Sequence, residues 1–497
     1  MVVPNSAVAR PGALRRLGAV LFTAVLFAGV TLVTSQDDAS SVVGPLAVPK
    51  ADCGPGALPE TSTQGRVPKS DYTSGRVKEG YLCNTTQTSH QGSSGGFKTL
   101  RYTDSQGHTC AFYDSTLTVP RDIVSNTLSG DGLGTVVLDM TDPAHPKKTA
   151  NLTTVGMLSP HESLLVNEKR GLLVGVLGTF ATAPGILDVY DVKTDCRKPK
   201  LLSSTPAGLL GHESGFSPDG MTFYVSSAFL SFVAVDLTNP RAPRPIYSEF
   251  GVMYHGMRVS DDGRTLYAAS LGQPGPGGIT GSGLTIVDVS QIQDRVKNPK
   301  AKILSKLTWR DVSIPQVAEP FTSKGRKYVL EIDEFVDLVS FKGLVDLKRA
   351  PVGAARIIDV DDPRHPRVVS DIRLKVHEPS QRDGEQSHDP GASFVAQGYA
   401  GHYCSMPTRK DPKIAGCSMI LSGLRLFDIS DVTRPREVGY FNKPVPKNTK
   451  ITLIPAIGAY AMSQPAWDVQ RNEVWYTDSN SGFYVVRLTN GVEKLLH

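Results

Sequence analysis

Four histidines recur at one point of a repeated pattern: His161 in HES, His212 in HES, His255 in HGM and His402 in HYC. Two further units carry Glu319 in AEP and Ala466 in PAW at the matching point. Imidazole and carboxylate are donors that suit zinc, copper and manganese, so the set reads as a place for a divalent metal or a polar ligand. Glu162 and Glu213 follow two of the histidines, but alternation along a strand turns a neighbouring side chain away. His377, Glu378, His388 and Asp389 sit together in one long connecting segment. A second reading makes each histidine architectural: a buried imidazole needs a partner, and bonding to the backbone of the next unit would fix the spacing between units.

What must position these residues is a short phrase that recurs along the chain. Its cleanest copy, GLRLFDISDVTRP, runs from Gly423 to Pro435. Alternating Leu424, Leu426 and Ile429 fit a strand covered on both faces, and Asp428, Ser430, Asp431 and Pro435 supply the turn that stops it. Further copies begin at Gly134, Ile186, Phe232, Gly283, Ala355 and Gly482. Each centres on a hydrophobic triplet followed by Asp139, Asp191, Asp236, Asp288, Asp359 or Asp428, with Arg487 in the last copy. Such an aspartate caps the turn that follows by accepting backbone N–H bonds; calcium would need more carboxylates at alternate positions.

The stretches VDVS (287–290) and DIS (428–430) resemble the repeats of the LVIVD family of bacterial propeller proteins, a likeness that covers most of the chain after about Gly96. Read beside the resemblance, each unit has a four-part grammar. In the third unit HESGFS, MTFYVSSA, FVAVDL and PIYSEF are successive strands, with Pro218 to Gly220 as the first turn. Asp219-Gly220 and Asp262-Gly263 are hairpin signals. Four strands meandering make one blade, and seven units predict an all-β, seven-bladed β-propeller of four-stranded antiparallel blades over residues 97–497. The last unit is short of a strand, so the N-terminal arm is expected to lend one. Innermost strands line the central channel, and the histidines therefore form a ring at its mouth. That ring is broad enough that only neighbouring histidines are expected to share an ion.

Long insertions at Lys375 to Gly401, Asn442 to Gln464, Gly272 to Gly283 and Asp333 to Val352 all fall in connections that leave one face, the face of the histidine ring. Long loops gathered at one end of a rigid scaffold carry function.

Ahead of the repeats, Arg10, Arg15 and Arg16 precede an apolar run from Leu17 to Val33. Residues 1–35 have the layout of a secretory signal, cut after Ser35, with an uncleaved anchor as the alternative because the run approaches the length that spans a bilayer. Residues 36–96, rich in Ser, Thr, Gly and Pro, read as a linker and an extended arm. Six cysteines in an exported chain favour disulfides: Cys404 with Cys417 inside one unit, Cys83 with Cys110 tying the arm to the first blade, and Cys53 with Cys196. Zinc has no closely spaced cysteine pair to hold it. The sequons at Asn84 and Asn151 read as accidental in a chain that resembles bacterial proteins.

A hydrophobic content of 40% with 20% charged residues describes a globular chain. The net charge of +5 is spread thinly, without the basic and aromatic interleaving of a nucleic-acid surface. Nucleophile elbows, phosphate loops and zincin motifs are missing. The expectation is an exported binding or scaffold module, presenting its loop-rich face to a protein or carbohydrate of the cell envelope. The alternative is a metal-dependent hydrolase or oxidase working through His161, His212, His255 and His402, which by fold analogy resembles His-bearing propellers such as the selenium-binding-protein family. A purely structural envelope component would leave the ring without a ligand. An exposed apolar patch of Phe335, Leu338, Val339 and Phe341 would mark a partner interface.

Overall fold

The computed structural model describes residues 47–115, 121–178, 185–208, 211–227, 231–275, 278–309, 313–334, 352–381, 385–392, 398–448 and 456–497. The apolar run from Leu17 to Val33 and the proposed patch of Phe335, Leu338, Val339 and Phe341 lie outside them. Among the described residues no helix is long and apolar enough to cross a membrane.

Every copy of the recurring phrase becomes the third strand of a blade. These are Thr135–Asp139, Ile186–Asp191, Ser231–Asp236, Gly283–Asp288, Ala355–Asp359, Gly423–Asp428 and Gly482–Leu488. They run as near-continuous apolar strands because each blade is sandwiched between two others. The core is accordingly divided among the blade interfaces. Val174, Val189, Phe223 and Val235 pack between the second and third blades, and Tyr224, Met257, Leu266 and Val287 between the third and fourth. Fourth strands such as Arg244–Phe250 lie at the rim and hold only exposed and half-buried residues.

The aspartates behave as turn caps throughout. Asp139, Asp191, Asp236, Asp288, Asp359 and Asp428 each accept the backbone N–H two residues on, at 2.8 to 3.1 Å. The Asp-Gly hairpins are also present, with Gly220 and Gly263 at φ 72° and 75°, a left-handed conformation that glycine adopts without strain. All seven pairings of the third strand with the rim strand carry a register irregularity at a corresponding place, a local feature that increases strand twist.

The arm closes the ring, as the short last unit implies. Thr85–Gln91 pairs antiparallel with Gly482–Leu488 and becomes the rim strand of the seventh blade. Ser89 of this strand donates to the Pro143 carbonyl at 2.6 Å. The same latch onto the next blade's turn is made by Ser203 to Pro240, Ser305 to Pro363 and Ser370 to Val432. The arm therefore occupies a rim position in full. Upstream, Tyr81–Cys83 adds a fifth strand to the sixth blade, an addition the sequence did not signal.

Two of the three expected disulfide pairings are corrected. The bonds are Cys53–Cys83, Cys110–Cys196 and Cys404–Cys417. Cys404 and Cys417 face each other in register on adjacent strands, as expected. Cys83 lies on the rim of the sixth blade, beside Tyr440, where it meets Cys53 of the same arm and cannot reach the first blade. Cys110, in the second strand of the first blade, is left facing the turn of the second blade that carries Cys196.

Candidate functional site at the channel mouth

The entrances to the innermost strands bring four imidazoles together. His161 and His212 precede Leu165–Asn167 and Gly215–Phe216, His255 lies inside Tyr254–Val259, and His402 precedes Tyr403–Ser405. Neighbouring rings lie 4.6 Å apart for His161 and His212, and 4.5 Å for His212 and His255, centroid to centroid. Phe97, at the corresponding point of the first blade, packs its ring 4.2 Å from His161 and 5.1 Å from His402. The ring is thus far tighter than its expected breadth.

Two carboxylates stand among the imidazoles. Glu162 Oε2 is 3.4 Å from His212 Nε2 and 3.7 Å from His255 Nε2, while Glu162 Oε1 is 3.3 Å from His402 Nε2. Glu334 reaches the same place, 3.4 Å from His255 Nε2 and 3.0 Å from His402 Nε2. The expectation that Glu162 turns away is overturned. It assumed a strand from His161 onward, but the strand starts at Leu165, and His161 sits at φ 54°, where simple alternation does not apply. Gln316 orients Glu162 by donating to Oε1 at 2.6 Å.

Orientation of the rings decides what they present. His255 Nδ1 donates to the Pro315 carbonyl at 2.8 Å, and His402 Nδ1 donates to the Met462 carbonyl at 2.6 Å. A carbonyl can only accept, so Nδ1 carries a proton in each ring and Nε2 is the atom turned to the carboxylates. These bonds tie each blade to the next, as the architectural reading expects. They are also the outer-shell bonds that orient metal-ligating histidines. The Nε2 atoms of His212 and His255 face each other at 2.5 Å.

Burial shapes the charge here. It pushes the His161 imidazole down to about 4 and that of His212 well below its ordinary value, so both are neutral near pH 7. Burial also works against the charged forms of His402 and Glu162. There the interactions win: hydrogen bonds to Glu162 and Glu334 raise His402 to about 9, and His212, His402 and their neighbours hold Glu162 well below the carboxylate range.

Glu319 does not join this cluster. It lies one layer further down the channel, ion-paired with Arg258 and bonded by Gln464 Nε2 at 2.9 Å. The same layer holds Lys98, whose Nζ lies 2.9 Å from both Glu213 and Gln464 and 4.0 Å above the Tyr403 ring. Tyr403 donates to Glu213 at 2.5 Å. These pairs form a plug beneath the histidines. In the long connection, His377 is buried and Asp389 is held by Arg66 of the arm at 2.7 Å, so neither joins the histidine cluster.

Sequence reading missed Glu334 as a partner. Its signal is the buried acidic run Glu331, Asp333 and Glu334 at the end of a second strand, where the insertion after Asp333 begins on the histidine face.

No protein-family model matches the chain, and no curated protein matches it. Among solved structures it is similar to a chain of a mitotic checkpoint complex, at 10% identity and a TM-score of 0.47 over 82% of this chain and 96% of the other. It is also similar to a functionally unknown protein from Desulfotomaculum acetoxidans DSM 771, at 12% identity and 0.44 over 69% and 86%. A third is Kuenenia stuttgartiensis hydrazine synthase, at 11% and 0.46 over 80% and 97%. At these scores the likenesses carry no argument about the site.

Proposed function

We propose that the protein is an exported propeller of the LVIVD-repeat type that holds a divalent transition metal at its channel mouth. The observation that carries this reading is the pair of Nδ1–carbonyl bonds on His255 and His402, which leave both Nε2 atoms aimed at the buried carboxylates of Glu162 and Glu334. Glu162 Oε2 is buried and accepts no hydrogen bond, a position costly for a carboxylate oxygen and suited to a cation. Three imidazoles or more with a carboxylate are the donors of zinc, copper and manganese centres, and such an ion supplies Lewis acidity or one-electron chemistry to a ligand it meets. Export is supported by the three disulfides, which use all six cysteines.

The test is elemental analysis of the secreted, tag-free protein beside a double variant, His161→Ala with His212→Ala. Near-stoichiometric or greater metal in the parent, reduced in a variant that still folds, supports the centre. Metal-free parent protein, with the double variant simply less stable, would make the cluster architectural.

A second reading is supported by the four long connections that strand alternation assigns to the histidine face. In that reading the rigid ring presents this face to a protein or carbohydrate of the envelope, and the metal serves the docking. Binding to purified envelope polysaccharide that survives the histidine double variant but is lost when residues 375–401 are shortened would favour docking.

A further inference from the structure

The donors at the channel mouth do not form one undivided set. The ligand atoms of His161, Glu162 and His212 lie within 4.8 Å of one another, and so do those of Glu162, Glu334 and His402; Glu162 alone belongs to both triads. Its two oxygens divide in the same way. Oε2 faces His212 and His255 at 3.4 and 3.7 Å, whereas Oε1 faces His402 at 3.3 Å. His255 Nε2 borders both triads, 3.7 Å from Glu162 Oε2 and 3.4 Å from Glu334 Oε1. Ligands at about 2.0–2.2 Å from one ion can stand at most about 4.4 Å apart, so a triad whose atoms lie within 4.8 Å closes on one ion with a contraction of at most about 0.4 Å. A carboxylate offering one oxygen to each of two such spheres is the geometry of a bridging ligand, and two-metal centres hold their ions about 3.5–4 Å apart.

From this division we infer that the channel mouth is a two-metal centre, with one divalent ion held by His161, His212 and Glu162 and a second by His402, Glu334 and the same Glu162. The inference rests on the metal-binding reading of the site and adds the number of ions and the bridge. Gln316 has a positioning role, because its amide at 2.6 Å fixes the Glu162 carboxylate between the two triads. The plug beneath brings no spare charge of either sign, since Lys98 and Arg258 are set against Glu213 and Glu319. Two divalent ions outweigh the two carboxylates, so the loaded centre takes up hydroxide or another small anion at its open positions.

The experiment uses the full secreted chain loaded with Mn(II), counted by native mass spectrometry and examined by electron paramagnetic resonance. Expected are two ions per chain and a spectrum broadened by exchange coupling between them. Each double variant, His161→Ala with His212→Ala and Glu334→Gln with His402→Ala, is expected to keep one ion and to show the hyperfine pattern of isolated Mn(II). Glu162→Gln is expected to weaken both sites by about tenfold or more. Circular dichroism checks that each variant folds, and the count on the unaltered protein decides the matter if one does not. A single ion in the unaltered protein, lost from both double variants, overturns the two-metal inference while the metal centre stands. Two ions without coupling overturn the Glu162 bridge. Failure to bind Mn(II), Zn(II) or Cu(II) at all removes both the centre and the inference.

Discussion

Arg425→Met is expected to loosen the arm from the sixth blade. The Arg425 guanidinium is fully buried, 2.6 Å from Glu60 of the arm and 2.5 Å from Glu437 of the rim strand, with the Tyr440 ring 4.3 Å away. Glu437 also accepts from Ala51 N–H at 3.2 Å and from Gln64 Nε2 at 2.9 Å. Burial already pushes the Glu437 carboxyl up, against the pull of Arg425 and Gln64. Removing one partner of a buried ion pair costs about 3–5 kcal/mol, and here it strands two carboxylates together. Out of a total of about 5–15 kcal/mol for a folded domain, that is a large fraction. The sign of the pH dependence follows. Without Arg425 the folded state holds a proton that the unfolded chain releases, so the deficit is small below the ordinary carboxyl pKa of about 4.3 and grows as pH rises. Urea unfolding, followed by tryptophan fluorescence at pH 5 and pH 8, measures it. Limited proteolysis is expected to cut the variant within residues 47–83 before the ring. Adding Glu60→Gln and Glu437→Gln to the variant is expected to restore much of the loss. A variant within about 1 kcal/mol of the parent at pH 8, or a deficit equal at both pH values, would refute the reasoning.

Two other outcomes test the scaffold. Asp114 is fully buried, its Oδ1 accepting from Phe97 and Lys98 N–H at 2.9 and 3.3 Å, and burial raises its carboxyl to about 7. Its cost is absent below the ordinary pKa and complete above pH 7, so Asp114→Asn is expected to match the parent at low pH and exceed it by about 2–4 kcal/mol at pH 8; equal stability at pH 8 would contradict this. Loop-closure entropy ranks the disulfides: Cys110–Cys196, separated by 86 residues, is expected to contribute about 1–2 kcal/mol more than Cys404–Cys417, separated by 13. Paired Cys→Ser variants compared by denaturant unfolding check the order, and a reversed ranking would count against it.

The blades were legible because one phrase repeats with its turn residues attached. Leu424 and Leu426 alternate, and Asp428 stops the strand, for local reasons visible in any copy. The disulfides of the arm were not legible, because which cysteine meets Cys83 depends on the path of residues 53–83 across the sixth blade, and no short-range rule sets that path. Glu162 was misread for a related reason. Period two applies only inside a strand, and His161 lies outside one, in a left-handed conformation that turns the chain. The sequence pattern matches Glu319 to the histidines, yet Gln316, three residues earlier, is the one that reaches the mouth, while Glu319 pairs with Arg258. The structural counterpart of the histidine point in blade five is Pro315-Gln316, since the Pro315 carbonyl takes the His255 Nδ1 bond and the Gln316 carbonyl lies against Gly256, and the AEP triplet that resembles the other copies stands three residues further along the strand.

The rim strand that residues 85–91 supply to the seventh blade has a temporal meaning. Its partner, Gly482–Leu488, lies about four hundred residues downstream, so the ring stays open until nearly all of the chain has been synthesised. An early-made segment must wait, unpaired, for the last-made one, and contacts of such long sequence separation form slowly. Closure of the ring is therefore a late event, and the Cys53–Cys83 bond, which oxidising surroundings form, sits on the arm just ahead of the strand that completes it.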